Sequence, residues 1–220
     1  MAMRIAFLLF DFQCLVILIA LIVSLLNLKK GKSKEINWLI LYNLVAVIVM
    51  IPFFLMTHNL LFLSSGNRIN NFSLIFNCVF LNFFMINNMP DKKGKKLLFI
   101  VSILFVCLIT FLLLRDDKNT FHTIPFGFNQ VSLLFTSSIF IYKLFKNIPD
   151  RNLFKYPFFW IVIGVFICSI ITFPVFLLAE YLIETNSLFQ SNYFLANITI
   201  IGYILMHLFF IKAALCSIKK

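Results

Sequence analysis

Residues 5–27 read IAFLLFDFQCLVILIALIVSLLN, and the next seven residues read LKKGKSK. The first stretch is almost wholly apolar and is long enough to cross the roughly 30 Å hydrocarbon core of a bilayer as a helix. It is apolar throughout rather than alternating, which predicts a helix and not a barrel strand. The four lysines behind it indicate where such a helix would leave the membrane.

The same pattern of an apolar stretch bounded by a polar turn recurs along the 220 residues. We therefore predict an all-α polytopic membrane protein, a bundle of seven transmembrane helices that forms one domain over residues 1–220. The predicted spans lie at about 5–27, 37–56, 71–89, 97–114, 124–145, 157–182 and 193–215.

Composition supports this class. Hydrophobic residues make up 62% of the chain and charged residues 12%, against roughly half and one quarter in soluble domains. The net charge of +11 would suit a nucleic-acid partner, but the basic residues fall in short turns and form no continuous basic face. We exclude nucleic acid and expect the lipid bilayer to be the main partner.

The basic residues are distributed unequally between the two sides of the predicted membrane. Fifteen of the 19 lysines and arginines lie near or after the ends of the first, third, fifth and seventh spans, and four lie on the other side. Under the positive-inside rule, this bias predicts an amino terminus outside and a carboxyl terminus in the cytoplasm. The expected location is the cytoplasmic membrane.

Polar residues recur a few positions below the outer start of several spans, and polar groups at membrane depth are candidates for function. Side chains at a common depth on several helices could line one outward-facing pocket, or they could form hydrogen bonds between helices, each contributing about 0.6 kcal/mol. The candidate ligand-binding residues are Asp11, Gln13, Asn77, Asn129, Gln130, Glu180 and Asn197.

His207 is a separate candidate. At a rise of about 1.5 Å per residue it lies about 20 Å from the outer face, deeper than Asp11 or Glu180. We therefore expect no acid–base pair among these three residues and treat His207 as a possible inner polar site. No catalytic motif and no metal-ligand spacing is present, so no catalytic residue, metal or cofactor is predicted. Pro52 and Pro174 fall inside spans and are expected to kink them.

Residues 157–164, PFFWIVIG, combine a proline and a tryptophan at the start of the sixth span with a small residue one turn later. Together with Asn197 near the start of the seventh span and the polar connection GNRINN at 66–71, this pattern resembles bacterial seven-helix membrane proteins of the sensor type found in some histidine kinases. The resemblance implies a sensing role. Since the sequence ends shortly after the seventh span, we expect the output to pass through a separate protein or the short inner loops.

Three functions follow from these observations. The first is a non-enzymatic signalling or accessory module that binds a small or lipidic ligand from the outer side and acts through a separate cytoplasmic or membrane partner. The alternative is a small transporter or channel, which needs a polar path through both leaflets. An intramembrane lipid-modifying enzyme is third, because it needs catalytic groups at one depth.

Overall fold

The computed structural model describes residues 2–28, 34–57, 66–89, 91–115, 123–147, 153–185 and 188–216. Within these ranges the chain is helical and contains no strand, which confirms the all-α prediction. The helices are α1 (Ala2–Leu28), α2 (Lys34–Thr57), α3 (Gly66–Asn87), α4 (Lys92–Arg115), α5 (Thr123–Asn147), α6 (Pro157–Thr185) and α7 (Leu188–Cys216). A short 3₁₀ turn, Leu153–Lys155, precedes α6.

Six of these helices are long and apolar enough to cross a membrane, and the apolar part of α3, Asn71–Asn87, is shorter. The protein is therefore a multi-pass integral membrane protein. Most helices run a few residues past the predicted spans. α3 instead ends at Asn87, two residues before the predicted boundary. Its last turn tightens as the Met89 amide bonds to the carbonyl of Ile86, and a proline at position 90 disfavours helix at Met89.

In contrast to a soluble protein, many large apolar side chains lie on the outside of the described bundle and many polar side chains lie inside it. Along α4, large apolar side chains such as Leu104, Phe111 and Leu114 are exposed. Polar side chains such as Asn82 and Gln130 are buried, each with about 1% of its surface exposed. In lipid this arrangement is favourable, because apolar groups cost nothing on the outside and polar groups find partners only inside.

Neighbouring helices in the sequence run antiparallel. We call the end where α1, α3, α5 and α7 begin the amino-terminal face, and the end where they finish the lysine face. The lysine face holds described lysines at the start of α4 and the ends of α5 and α7. There Asp91 caps α4 by accepting the amides of Lys93 and Gly94, and its carboxylate pairs with Lys143 of α5 at 2.7 Å.

The most extensive packing is between α6 and α7, with α5 against α6 and α1 against α7 next. α6 and α7 approach closely because glycine stands at the contact on each helix. A Cβ added to Gly164 would lie 2.8 Å from the Cβ of Phe209, and one added to Gly202 would lie 2.9 Å from Cγ2 of Thr172. Both α2 and α6 continue as helices through Pro52 and Pro174.

Buried amides join helices elsewhere. The Asn82 side chain on α3 donates to Oγ of Ser132 at 3.0 Å and accepts from Oγ1 of Thr136 at 2.6 Å, both on α5. Asn27 on α1 donates to the Ala214 carbonyl of α7 at 2.9 Å. Ser132 and Thr136 thus connect α5 to α3.

The half of the bundle nearest the lysine face has a continuous apolar core. Large side chains from six helices meet there, including Phe140, Leu98 and Phe210, each at most 1% exposed. The other half is packed differently, because α2 is held mainly by α1 and contacts α3 and α7 sparsely. The space between α2 and the helices that it contacts sparsely is a cavity.

Candidate functional site

Tyr42 lies at the boundary between the packed half and the cavity. Its ring packs edge-to-face on Phe210 of α7, with centroids 5.4 Å apart, and lies 6.0 Å from the ring of His207. On its other side it stacks on Phe76 of α3 at 6.1 Å. Tyr42 therefore bridges α2 to both α3 and α7, and beyond it α2 faces open space.

The cavity has a volume of about 640 Å³ and is lined by α1, α2, α3, α5, α6 and α7. It extends along α2 for about 17 Å, taking 1.5 Å per residue. One face of α2 forms a wall, with side chains at the three- and four-residue spacing of a helix stripe. These side chains are Tyr42, Val45, Ala46, Val49, Met50 and Phe53.

Polar residues occur along much of the lining, and Gln13, Ser73, Thr123 and Thr199 are among them. Four others lie towards the end nearest the packed half. We call Tyr42, Asn77, Tyr203 and His207 the polar end of the cavity. The hydroxyl of Tyr42 donates to Oδ1 of Asn77 at 2.8 Å. The Tyr203 hydroxyl accepts from Nε2 of Gln130 at 3.5 Å. No Asp, Glu, Lys or Arg in the described part of the chain lines the cavity.

His207 is the one group of the polar end with an unused buried nitrogen. Its Nδ1 lies 2.8 Å from the backbone carbonyl oxygen of Tyr203. Its Nε2 is shielded from solvent and has no hydrogen-bond partner among the described residues. The side chain is 2% exposed. A buried nitrogen without a partner is costly in an apolar setting.

A second, much smaller cavity of about 10 Å³ adjoins the first and shares Tyr42, Asn77 and Tyr203 with it. Oδ1 of Asn129, Oε1 of Gln130 and the Ser169 hydroxyl are buried without partners in the described structure, and all three residues line this space. Its volume suits at most one water molecule. It is therefore a polar niche beside the main cavity and too small for an organic ligand.

The structure distributes the predicted ligand-binding residues over several places. Gln13 and Asn77 line the main cavity, and Asn129 and Gln130 line the small one. Asp11 is half-buried on α1 and lines neither cavity within the described structure.

The last two predicted residues do not add to the described lining. Asn197 is half-buried, with Oδ1 shielded and without a partner in the described structure, and it too is outside both described linings. Glu180 lies in α6, but its side chain is outside the described residues.

His207 was expected as a separate inner site, yet it lies on the wall of the same cavity as Gln13 and Asn77. The depth of His207, estimated from the rise per residue of a helix, did not reveal that the cavity reaches so far into the bundle. Tyr42 and Tyr203 were not among the predicted residues. Thr199, Tyr203 and His207 follow at four-residue intervals, so a helical stripe along α7 was the signal that would have linked them.

Groups of three or more side chains suited to a metal ion do not occur among the described residues. The five cysteines are free, with Cys78 and Cys168 buried. No protein-family model matches the chain, and neither the curated proteins nor the solved structures include a significant match.

Proposed function

We propose that this protein is a non-enzymatic membrane module that binds a small, mainly apolar ligand in the cavity. The observation that carries the proposal is the cavity itself: about 640 Å³, lined mainly by apolar side chains from six helices, with a smaller number of polar side chains among them. Ligand sites in proteins have this size and this composition, apolar walls with a few placed polar atoms.

Ligand binding would act through α2. α1 holds α2 on one side, whereas the cavity separates much of its other face from α3, α6 and α7. A ligand in this space contacts both sides and favours the arrangement in which they fit around it. A ligand shifts such an equilibrium only by its difference in affinity for the two states. We propose that a separate partner protein senses the resulting position of α2.

The orientation is part of the proposal. The excess of lysine at one end of the helices supports an amino terminus outside and the lysine face in the cytoplasm. It also supports membrane crossing by α3, whose apolar segment of 17 residues is at the short end of the spanning range. The cavity then lies in the outer half of the cytoplasmic membrane, where lipidic molecules are abundant.

A channel receives less support. Below the polar end, the described residues include an apolar core around Leu133, Val162 and Met206. The buried polar side chains of Asn82, Ser132 and Thr136 in this half are bonded to one another. Net movement of the ligand across sealed vesicles that contain the purified protein would reverse this preference and favour a transporter.

The proposal can be tested with a photoreactive C16 alkyl diazirine in lipid nanodiscs, followed by peptide mapping. We expect crosslinks on cavity residues such as Val49 and Ile200. The Ala46→Phe substitution places a ring in the cavity beside α2 and should reduce them, whereas Leu44→Phe, on the exposed side of α2, should not. Crosslinks confined to exposed side chains, or equal labelling of the two variants, would show that the cavity does not bind the probe.

A further inference from the structure

We propose that the lysine face carries a binding surface for the headgroups of anionic phospholipids, where α4 begins beside the end of α5. The α4 basic surface, as we call it, consists of five exposed lysines on these two helices: Lys92, Lys93, Lys95, Lys96 and Lys146. None of these lysines lines either described cavity. The inference is therefore independent of the proposed function.

The ion pair between Asp91 and Lys143 brings the lysines of the two helices together. Oδ2 of Asp91, directly before α4, lies 2.7 Å from Nζ of Lys143 on α5. A Cβ added to Gly94 of α4 would lie 3.7 Å from Cε of the same lysine. Lys146 follows Lys143 by about one helical turn. The start of α4 and the end of α5 therefore form one continuous surface.

Acidic side chains do not balance the charge of this surface. Among the described residues, the pair of Lys143 with Asp91 is the only ion pair that a lysine of this face makes, and Asp91 also accepts from two backbone amides. On this side of the predicted spans the sequence has fifteen lysines and arginines and three acidic residues, Glu35, Asp91 and Asp150. The surface therefore stays positive even if every acidic side chain offsets one lysine.

The lysines of α4 also lie where local electrostatics disfavour them. Lys92 and Lys96 are four residues apart, and Lys93 and Lys96 are three apart, and like charges at these spacings destabilise a helix. The helix dipole further disfavours cations in a first turn. The positive-inside rule explains the side of the membrane on which these lysines lie, but not their crowding within one helix. A local rule broken without a gain inside the protein points to function, and a bound anion would remove the repulsion.

Exposed apolar side chains continue the α4 basic surface towards the middle of the membrane. Leu97, Ile100 and Leu104 follow Lys93 at intervals of four, three and four residues, so the four side chains lie on one stripe of α4. The three apolar side chains are exposed and face lipid. A phospholipid can place its phosphate among the lysines while its acyl chains cover this stripe, whereas a soluble phosphate gains only the first contact. The partner is therefore a lipid.

The test uses photoreactive phosphatidylglycerol and phosphatidylcholine with the same diazirine-bearing acyl chain, each at the same low mole fraction in nanodiscs of neutral lipid. Peptide mapping should show more labelling of α4 around Leu97 and Ile100 by the anionic probe than by the neutral one. Lys92→Gln combined with Lys96→Gln should reduce this excess by about fivefold or more, since each lysine near an anionic headgroup contributes about fivefold in affinity. Lys92→Arg combined with Lys96→Arg preserves both charges and should keep the excess.

Lys155→Gln combined with Lys212→Gln is the matched control. It removes the same charge from the lysine face, but beside α6 and α7, where Nζ of Lys212 lies 5.7 Å from the centre of the Trp160 ring. α4 packs mainly against α3 and α5. The excess labelling of α4 should therefore remain close to that of the unaltered protein. Equal labelling of all variants by the neutral probe shows that they are folded.

Several results would overturn the proposal. Equal labelling by the two probes in the unaltered protein excludes the surface, and a similar loss in both glutamine pairs shows only a general attraction to the lysine face. An unchanged excess in Lys92→Gln with Lys96→Gln, or its loss in the arginine pair, excludes the charge of these lysines as the cause. Displacement of the anionic probe by inorganic phosphate at constant ionic strength would assign the surface to a soluble anion.

A salt titration of the unaltered protein tests the same surface without any substitution. Raising the ionic strength from about 0.1 M to about 1 M shortens the screening length from about 10 Å to about 3 Å. The excess labelling by phosphatidylglycerol should fall over this range, because exposed charges attract the headgroup. An excess that is independent of salt contradicts the proposal.

Discussion

The contact between α6 and α7 predicts a strong effect of a single methyl group. In Gly164→Ala the new Cβ would lie 2.8 Å from the Cβ of Phe209 and 3.1 Å from the backbone oxygen of Met206. Carbon atoms pack at about 3.5–4.0 Å, so the helices must separate by about 0.7 Å or more. Neither neighbouring atom can rotate away, because one belongs to the backbone and the other is bonded to it.

The expected cost follows from two opposing effects. Overpacking of this kind destabilises by about 1–3 kcal/mol, whereas alanine is favoured over glycine in a helix by up to about 1 kcal/mol. We therefore expect Gly164→Ala to lower the free energy of unfolding by about 1–2 kcal/mol. Gly127→Ala is the matched control. Its nearest contact, at 3.3 Å, is Cδ2 at the end of the exposed Leu177 side chain, which can move, so this variant should be neutral or slightly stabilised.

Unfolding can be followed in detergent with a thiol-reactive dye, because Cys78 and Cys168 are 1% and 2% exposed in the folded protein. The buried thiols react only when the bundle opens. Helix content, from circular dichroism, shows whether the secondary structure persists. If Gly164→Ala is as stable as Gly127→Ala, α6 and α7 do not make the close contact described, and the reasoning from these distances is wrong.

Three further predictions concern polar contacts. Asn82→Leu removes two hydrogen bonds between α3 and α5 and should destabilise by about 1 kcal/mol, at about 0.6 kcal/mol each, in the same dye assay; an unchanged midpoint would contradict this. Asn27→Leu removes one bond between α1 and α7 and should cost about half as much. Asp91→Asn keeps a side-chain oxygen that can accept hydrogen bonds from the backbone amides at the start of α4. It loses the ion pair with Lys143. That pair, with the backbone amides, holds the pKa of Asp91 below its ordinary 3.8, so its stabilisation is present at neutral pH and is lost as the pH falls through the lowered pKa. Unaltered protein and variant should therefore differ in stability at pH 7 and converge below pH 3.8; a difference that is constant with pH would exclude the ion pair as its source.

The positions of the helices could be predicted from the sequence, because a bilayer requires long apolar runs. Each predicted span lies within a described helix or ends within two residues of one. Part of the candidate site was also predictable. Gln13 and Asn77 were identified because amides are rare and costly at that depth, and both line the cavity.

The helices, their approximate ends and the residues whose polarity needs an interior position therefore follow from the amino-acid sequence alone. These properties depend on each segment and the surrounding lipid alone. The packing of the folded bundle places His207 in one cavity with Gln13 and Asn77 and leaves Asp11 outside its described lining. Which side chains meet depends on the rotation and separation of the helices. Those are set by contacts between residues far apart in the chain, such as Gly202 with Thr172 and Tyr42 with Phe210, and no local pattern encodes them.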